Sequence, residues 1–276
     1  MNISILILTY NESQNLPGCL ESVSWSDDIV VLDSYSTDGT MGIAMAKGAR
    51  VIQRSFDNWA SHQNWAVREI HFQHPWVFYL DADERMTSEL RAEIETIAAD
   101  INERRVAFYC GRKNYFMGKW IRHSYPPSRI MRFFRPNHVK FERLVNPTAV
   151  IDGPHGYLLG LFTHYNFSKG ITEWLDKHNR YSTWEAIEGL RVLRGEDGHP
   201  PNLFSCDSAQ RRKALKRLSF RLPCRSTIKF LYLYLICGGI CDGYAGLIYC
   251  RLQAIYEGMI SAKMIELLRR ERDMTI

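Results

Sequence analysis

The chain has 276 residues, 46% hydrophobic and 24% charged, with a formal net charge of +5. Those proportions belong to a globular protein with room for one large domain and an appendage, and no repeat or low-complexity tract argues otherwise. The seven cysteines form no CxxC pair, so they read as reduced thiols in a cytoplasm and not as a disulfide framework.

Ile3 to Leu8 is a β-rich run too short to span a bilayer. It has no basic leader and no small-residue cleavage site, so it is not expected to be a signal peptide. It ends in the polar loop Thr9-Tyr10-Asn11-Glu12. A helix is expected over about Leu16 to Ser24, with Asn15 as its cap and Pro17 early. Asp28 to Leu32 is a second strand, followed by Asp33-Ser34-Tyr35-Ser36-Thr37-Asp38-Gly39-Thr40, dense in hydroxyls and carboxylates. A helix from about Thr40 to Lys47 closes at Gly48. Arg50 to Gln53 is a third strand, and a helix around Ser61 to Ile70 leads to the apolar strand Trp76 to Leu80.

That strand delivers Asp81-Ala82-Asp83-Glu84. If the backbone stays extended, Asp81 and Asp83 face the same way, because strand side chains repeat every two residues. Clustered carboxylates repel, and a hard divalent cation, Mg²⁺ or Mn²⁺, is the usual resolution, bridging carboxylate to phosphate. The competing reading is an acidic turn in which Asp83 or Thr87 caps a helix over Ser88 to Ile101.

Strands alternating with helices predict an α/β fold, a mostly parallel sheet with helices on both faces. Three polar clusters then share the carboxyl edge of that sheet, where open α/β sheets bind ligands. No GxGxxG and no GxxxxGK[ST] follows a strand, which argues against a dinucleotide fold and a P-loop NTPase.

The Thr9–Glu12 loop, the run from Val31 to Thr40 and Leu80-Asp81-Ala82-Asp83-Glu84 together resemble family 2 glycosyltransferases of the GT-A fold. Gln63-Asn64-Trp65-Ala66, the Asn114–Ile121 stretch and His178-Asn179-Arg180-Tyr181 look like bacterial members that build lipopolysaccharide cores and exopolysaccharides. The resemblance implies a nucleotide-sugar site in which Thr9, Asn11 and Glu12 line the nucleotide pocket, Asp33 contacts the base, Asp81 the ribose region, and Asp83 holds Mg²⁺ or Mn²⁺ on the diphosphate. Inverting transfer also needs a base to deprotonate the acceptor hydroxyl. Relatives carry a Val-His-Glu or Val-Asn-Glu motif where this chain has Val145-Asn146-Pro147, so Glu142 is the first candidate for the base and Asp152 the second.

The Arg112–Arg135 stretch, with Lys113, Lys119, Arg122, His123, Arg129 and Arg132 among aromatic residues, reads as an acceptor-binding wall or as a mixed surface. His164 reads as structural, with a metal or diphosphate role as the lesser alternative. The loop signal Arg194 to Asn202 divides the chain into a catalytic domain, 1–195, and a basic helical tail, 196–276. Within the first, 1–105 would bind the nucleotide-sugar and 106–195 the acceptor. Residues 211–276 hold 13 Lys and Arg against 5 Asp and Glu, and eight of those basic residues fall between Arg211 and Lys229. The apolar, Tyr-rich run from Phe230 to Tyr249 follows, interrupted by Asp242. Adsorption to an anionic cytoplasmic membrane face, an oligomer interface and a costly span are the readings open to it. Nucleic acid is not expected as a partner. The expected activity is inverting transfer of a hexose-type sugar, from a UDP-sugar by default, to a lipid-linked or cell-surface glycan. The alternatives are a non-catalytic membrane-docking protein on a degenerate transferase fold and a metal-dependent nucleotidyltransferase.

Overall fold

A computed structural model describes residues 2–125, 129–142, 147–196, 211, 214, 217–220, 222 and 224–276. In chain order the elements are β1 (Ile3–Thr9), α1 (Leu16–Ser22), β2 (Ile29–Asp33), α2 (Thr40–Ala46), β3 (Arg50–Gln53), α3 (Trp59–Glu69), β4 (Trp76–Asp81), β5 (Glu84–Arg85), α4 (Ser88–Ala99), β6 (Ala107–Phe116), β7 (Lys119–Trp120), β8 (Arg129–Phe134), β9 (Val139–Glu142), β10 (Thr148–Ile151), β11 (His155–His164), α5 (Gly170–Arg194), α6 (Arg225–Leu231) and α7 (Gly243–Arg270).

Two compact units divide the chain: Met1–Tyr115 with Pro127–Ser168, and Phe116–Pro126 with Lys169–Ile276. The first is a sheet in the order β3-β2-β1-β4-β8-β6-β11-β5. The strands β3, β2, β1 and β4 run parallel, β8 is antiparallel to β4 and β6, and β11 is parallel to β6. This is the mostly parallel α/β sheet that the alternation predicts. Both faces are covered, because β1 is apolar at every position but Ser4 and Thr9 and is buried along its whole length. Ile3, Ile5 and Ile7 pack with Leu16, Leu20, Ala44, Leu90 and Ile94 of α1, α2 and α4. Leu6 and Leu8 face the other way, toward Ala66 and Val67 of α3 and toward Phe141. A strand buried on two sides shows no alternation, as its near-continuous apolar run required.

Local chemistry sets the helix ends. Asn58 caps α3 by accepting from Ser61 N at 2.9 Å, and Thr87 caps α4 by accepting from Leu90 N at 3.3 Å. Thr87, not Asp83, is therefore the α4 cap, which leaves Asp83 to other work. Asn15 does not cap α1 with its side chain; it donates Nδ2 to Glu12 Oε2 at 2.7 Å.

In the second unit α5 lies along α7, with Ala186 and Leu190 packed on Ile260 and Met264. Lys263 Nζ donates to Asn179 Oδ1 at 2.7 Å and Thr183 Oγ1 at 2.8 Å. His178 stacks on Trp174 and meets Tyr256 edge-on, and burial holds its imidazole down at about 4. The contacts thus divide the chain at 168/169 and not at the expected 195/196, because α5 buries its apolar face on a helix that begins more than forty residues further on. Gly195 still ends α5 in the left-handed region, at φ 78°. Of the basic run, Arg212, Lys213, Lys216 and Arg221 lie outside the described residues. The expected apolar run is α6, a wider π turn over Tyr232–Ile236, a left-handed Gly238 and a 3₁₀ turn over Gly239–Asp242 before α7. Among the described residues no single helix is long and apolar enough to cross a membrane, and the two apolar helices meet at 72°.

Candidate active site

The carboxyl edge of the sheet gathers the three polar loops. The loops after β1 and β2 are tied to each other. Ser34 N donates to Thr9 O at 2.9 Å, Asn11 N to Ser36 Oγ at 2.8 Å, Thr37 N to Asn11 Oδ1 at 2.8 Å, and Glu12 N to Thr40 Oγ1 at 2.8 Å. Asn11 and Tyr35 take left-handed backbone, at φ 52° and 61°. Such conformations are uncommon outside glycine, and here the cross-loop hydrogen bonds hold them.

Asp33 closes β2 and is fully buried. Its Oδ1 accepts from Thr9 Oγ1 at 3.0 Å and from Ser36 Oγ; its Oδ2 accepts from Ser36 N at 2.9 Å and from Gln53 Nε2 at 3.4 Å. A carboxylate has about four acceptor directions, so Asp33 is engaged in ordering the loop that a nucleobase would meet. Asp38 sits beside it. Burial pushes its carboxyl up, but donors from Thr40 and Ser13 outweigh that and hold it at about 2.

The third loop carries the expected carboxylates in distinct environments. Asp81 Oδ1 accepts from Tyr79 Oη, and Oδ2 meets Arg132 Nη2 at 2.8 Å. Glu84 folds back: its Oε2 accepts from Asp81 N at 2.9 Å and its Oε1 meets Arg132 Nη2 at 2.7 Å. Glu84 and Arg132 are both buried, and Arg132 also lies over the Tyr79 ring at 4.2 Å. Burial, helped by Asp81 and Asp83, pushes the Glu84 carboxyl up against the pull of Arg132.

Asp83 is brought to a histidine by strand register. The β5–β11 ladder pairs Glu84 with His164, and the β6–β11 ladder pairs His164 with Asn114. His164 Nδ1 hydrogen-bonds Asn114 Oδ1 at 2.8 Å, while Nε2 faces Asp83 Oδ2 at 3.5 Å. An amide oxygen can only accept, so Nδ1 carries a proton, and Nε2 is the ring atom turned toward the carboxylate. An imidazole nitrogen beside a carboxylate, with a partner fixing the far nitrogen, is a donor set that fits Mn²⁺ or Mg²⁺ completed by phosphate and water oxygens. No three His, Cys, Asp or Glu side chains converge among the described residues, so such an ion would need ligand oxygens to complete its shell.

The two candidate bases part company. Glu142 ends β9, is exposed and pairs across the hairpin with Thr148; Asn64 of α3 fixes the preceding Phe141 through bonds of 2.7 and 2.8 Å to its backbone. Arg143–Asn146, which hold most of the Val-Asn-Pro stretch, lie outside the described residues. Asp152 lies beyond the other end of the same hairpin, where its N donates to His138 O at 2.8 Å. It precedes His155, which pairs with Ala107 at the opposite edge of the sheet from His164. Their partners Ala107 and Asn114 are seven residues apart on β6, about 23 Å at ~3.3 Å per residue. Asp152 is therefore not brought to the site, because the chain turns at the far edge before β11 carries it back. The basic stretch is also dispersed: Arg132 is buried under the carboxylates, Arg129 lies over Tyr157 at 5.0 Å, and Lys119, Arg122 and His123 belong to the second unit.

Arg132, Glu84 and His164 are the site groups that sequence reasoning missed or misassigned. A signal for His164 was present, since it ends an apolar run as Asp33 and Asp81 do.

A mostly parallel sheet whose carboxyl edge carries an Asp-Ala-Asp loop beside a strand-end histidine is a GT-A-type transferase fold. The profile described as "Glycosyl transferase family 2" matches residues 4–158, and the chain belongs to that family. It is 26% identical over 277 residues to the lipopolysaccharide core biosynthesis glycosyltransferase LpsC of Rhizobium meliloti, covering 96% of this chain and 92% of that one. It is 29% identical over 197 residues to an uncharacterized glycosyltransferase of Rickettsia typhi, covering 67% of this chain and 66% of that protein, just under two thirds of its length. Among solved structures, the mannosyltransferase PcManGT of Pyrobaculum calidifontis, in complex with GDP-Man and Mn²⁺, superposes with a TM-score of 0.52 at 14% identity, over 96% of this chain and 87% of that one. At that identity the likeness speaks to the fold.

Proposed function

We propose that the protein transfers a hexose-type sugar, with inversion, from a nucleotide-sugar to a lipid-linked or cell-surface glycan, with UDP-sugar as the default donor. The observation that carries this reading is the meeting of Asp81, Asp83 and His164 at the sheet edge that also holds the Thr9–Glu12 and Asp33–Thr40 loops. The relation to LpsC favours a glycan acceptor of the lipopolysaccharide type.

Asp83 and His164 would hold Mg²⁺ or Mn²⁺. That ion, when bound, neutralises charge on the departing nucleoside diphosphate. Asn114, by holding Nδ1, would keep His164 Nε2 turned toward such an ion. Thr9, Asn11, Glu12 and Asp33 shape the nucleotide pocket, largely by holding two loops in left-handed turns before any ligand arrives. Asp81, steadied by Tyr79 and Arg132, meets the ribose. Glu142 takes the acceptor proton. The test is release of nucleoside diphosphate from a panel of UDP-, GDP- and ADP-sugars with Mn²⁺. Turnover of one donor that stops in excess EDTA is expected; no turnover of any donor, with or without a lipid-linked oligosaccharide extract as acceptor, overturns the reading.

A further inference from the structure

We infer that the corner between α6 and α7, together with the Lys119–His123 segment of the same unit, is a docking surface for an anionic lipid bilayer. The inference does not depend on the donor or on the chemistry of transfer.

The corner is built to be sharp and firm. Gly238 turns the chain at φ 81°, and a Cβ on Gly239 would stand 2.8 Å from Leu233 O. A Cβ on Gly246 would stand 2.2 Å from Gly239 O, so only glycine lets the turn settle on the first turn of α7. This close approach leaves the large side chains of the turn pointing away from the protein. Ile236 is 77% exposed, Tyr244 66%, Leu235 56% and Ile240 55%. Isolated exposed apolar residues need no explanation, but four on one short corner form a patch of the kind that marks an interaction site.

The one carboxylate in the corner is withdrawn from that surface. Asp242 has a side chain only 4% exposed. It accepts from His123 N at 3.0 Å, His123 Nδ1 at 2.9 Å, and Ser124 N and Oγ at 2.6 Å each. Burial pushes its carboxyl up, but these donors outweigh it and hold it below the usual range. The same bonds clamp the Lys119–His123 segment to the corner. That segment adds exposed Lys119, Arg122 and His123, with Arg122 over the Trp120 ring at 5.5 Å. Between Phe116 and Tyr125, and between Ser226 and Arg251, Asp242 is the only carboxylate, against Lys119, Arg122, Lys229 and Arg251; Arg225, at the start of α6, is paired with Glu257 at 2.8 Å.

An apolar tip with Trp and Tyr, ringed by cations and with its acid masked, is complementary to acyl chains under anionic headgroups. The 72° bend makes the apolar segment a corner that dips and returns. A second copy fits less well, since a twofold contact would set the cations of one copy against those of the other.

The test is co-sedimentation of the full chain with vesicles of phosphatidylcholine alone or with phosphatidylglycerol. Binding to the anionic vesicles is expected, reduced but not abolished at high salt. Leu235→Ser with Ile236→Ser should lower partitioning on the order of a hundredfold, about tenfold for each side chain. Lys119→Gln with Arg122→Gln should lower it about fivefold per charge at low salt and not at high salt. Thermal unfolding and nucleotide-sugar hydrolysis without vesicles should be unchanged in both variants. The inference fails if the protein binds neither vesicle, if it binds both equally, or if the serine variant binds like the parent. It also fails if light scattering shows a dimer that the serine variant breaks, since the patch then covers a second copy.

Discussion

Arg132→Met tests whether the buried cation is what lets Asp81 and Glu84 sit side by side. Arg132 is 3% exposed and bridges Glu84 at 2.7 Å and Asp81 at 2.8 Å. Methionine keeps much of the apolar stem under the Tyr79 and Phe162 rings, so packing loss is small. The remaining loss is electrostatic. Removing one partner of a buried ion pair costs about 3–5 kcal/mol, because the other charge stays buried and unpaired. Glu84, with no exposed side-chain surface, bears most of that cost. Asp81, with a side chain 34% exposed, can recover part of its hydration and bears less. Urea unfolding followed by tryptophan fluorescence, which reports on Trp76 in the first unit, measures the change. Glu84→Gln added to Arg132→Met should recover about 1–3 kcal/mol, the coupling expected of residues in one network. A loss under about 1 kcal/mol for Arg132→Met, or no recovery in the double variant, refutes the assignment of Arg132 as the counter-charge of this pair.

The metal reading predicts that Asp83→Ala and His164→Ala each abolish turnover with Mn²⁺ while unfolding midpoints move little; a His164→Ala enzyme with the parent's Mn²⁺ dependence removes the imidazole from the donor set. Asp33→Ala should weaken UDP binding in calorimetry and, because hydrogen bonds to a charged group are lost, lower stability by about 1.5–3 kcal/mol; unchanged affinity with lost stability would make Asp33 a loop organiser alone. Glu142→Gln should spare UDP binding and reduce turnover about a hundredfold to ten-thousandfold, whereas Asp152→Asn, at the far edge of the sheet, should turn over like the parent. A dead Asp152→Asn enzyme with normal stability would show that the hairpin is not where acceptor chemistry is excluded.

What the sequence made legible follows from how each feature is encoded. The strands β1 to β4 are short apolar runs bounded by turn residues, so both their positions and the edge at which Thr9, Asp33 and Asp81 emerge could be read locally. The strand end at His164 could be read that way too, but its contact with Asp83 could not. Its partner strand β5 has two residues, and the contact with Asp83 exists only because β11 pairs with β5 on one side and β6 on the other. Asp152 is near Glu142 in sequence and lies beyond the other end of the same hairpin, past the Ile151–Val139 pair. Asp33 ends β2 as the strand pattern predicted, while its donors, from β1, β3 and its own loop, could not be read locally. The break at Asp242 in the apolar tail was legible, but the glycines at 238, 239 and 243 are not seen to form a corner until the chain folds back on α7.

The charges at the carboxyl edge explain why its parts are separated as they are. Asp81, Asp83 and Glu84 fall within four residues, and the structure sends them to different counter-charges. Glu84 turns inward to Arg132 and to the Asp81 amide, and Asp81 shares the same guanidinium from the surface side. One cation is thus divided between two carboxylates, and Asp83 is left to the His164 side of the loop. Asn114 holds Nδ1 of that histidine, which fixes the ring with Nε2 toward Asp83. Under the proposed function, a divalent cation held by Asp83 and His164 would leave Arg132 undisturbed. The arrangement therefore makes a specific demand on substitutions. Asn114→Leu leaves Asp83 and His164 in place but removes the acceptor that holds Nδ1, so the ring can turn or take up its other tautomer. Mn²⁺ should then be needed at about ten- to a hundredfold higher concentration for half-maximal turnover, the usual effect of losing a partner behind a metal-bound imidazole. Asn114→Asp, which keeps an acceptor at Nδ1, should restore most of the affinity. If leucine and aspartate at this position give the same Mn²⁺ requirement as asparagine, His164 does not act through its second nitrogen, and the ion is held by Asp83 and the diphosphate alone.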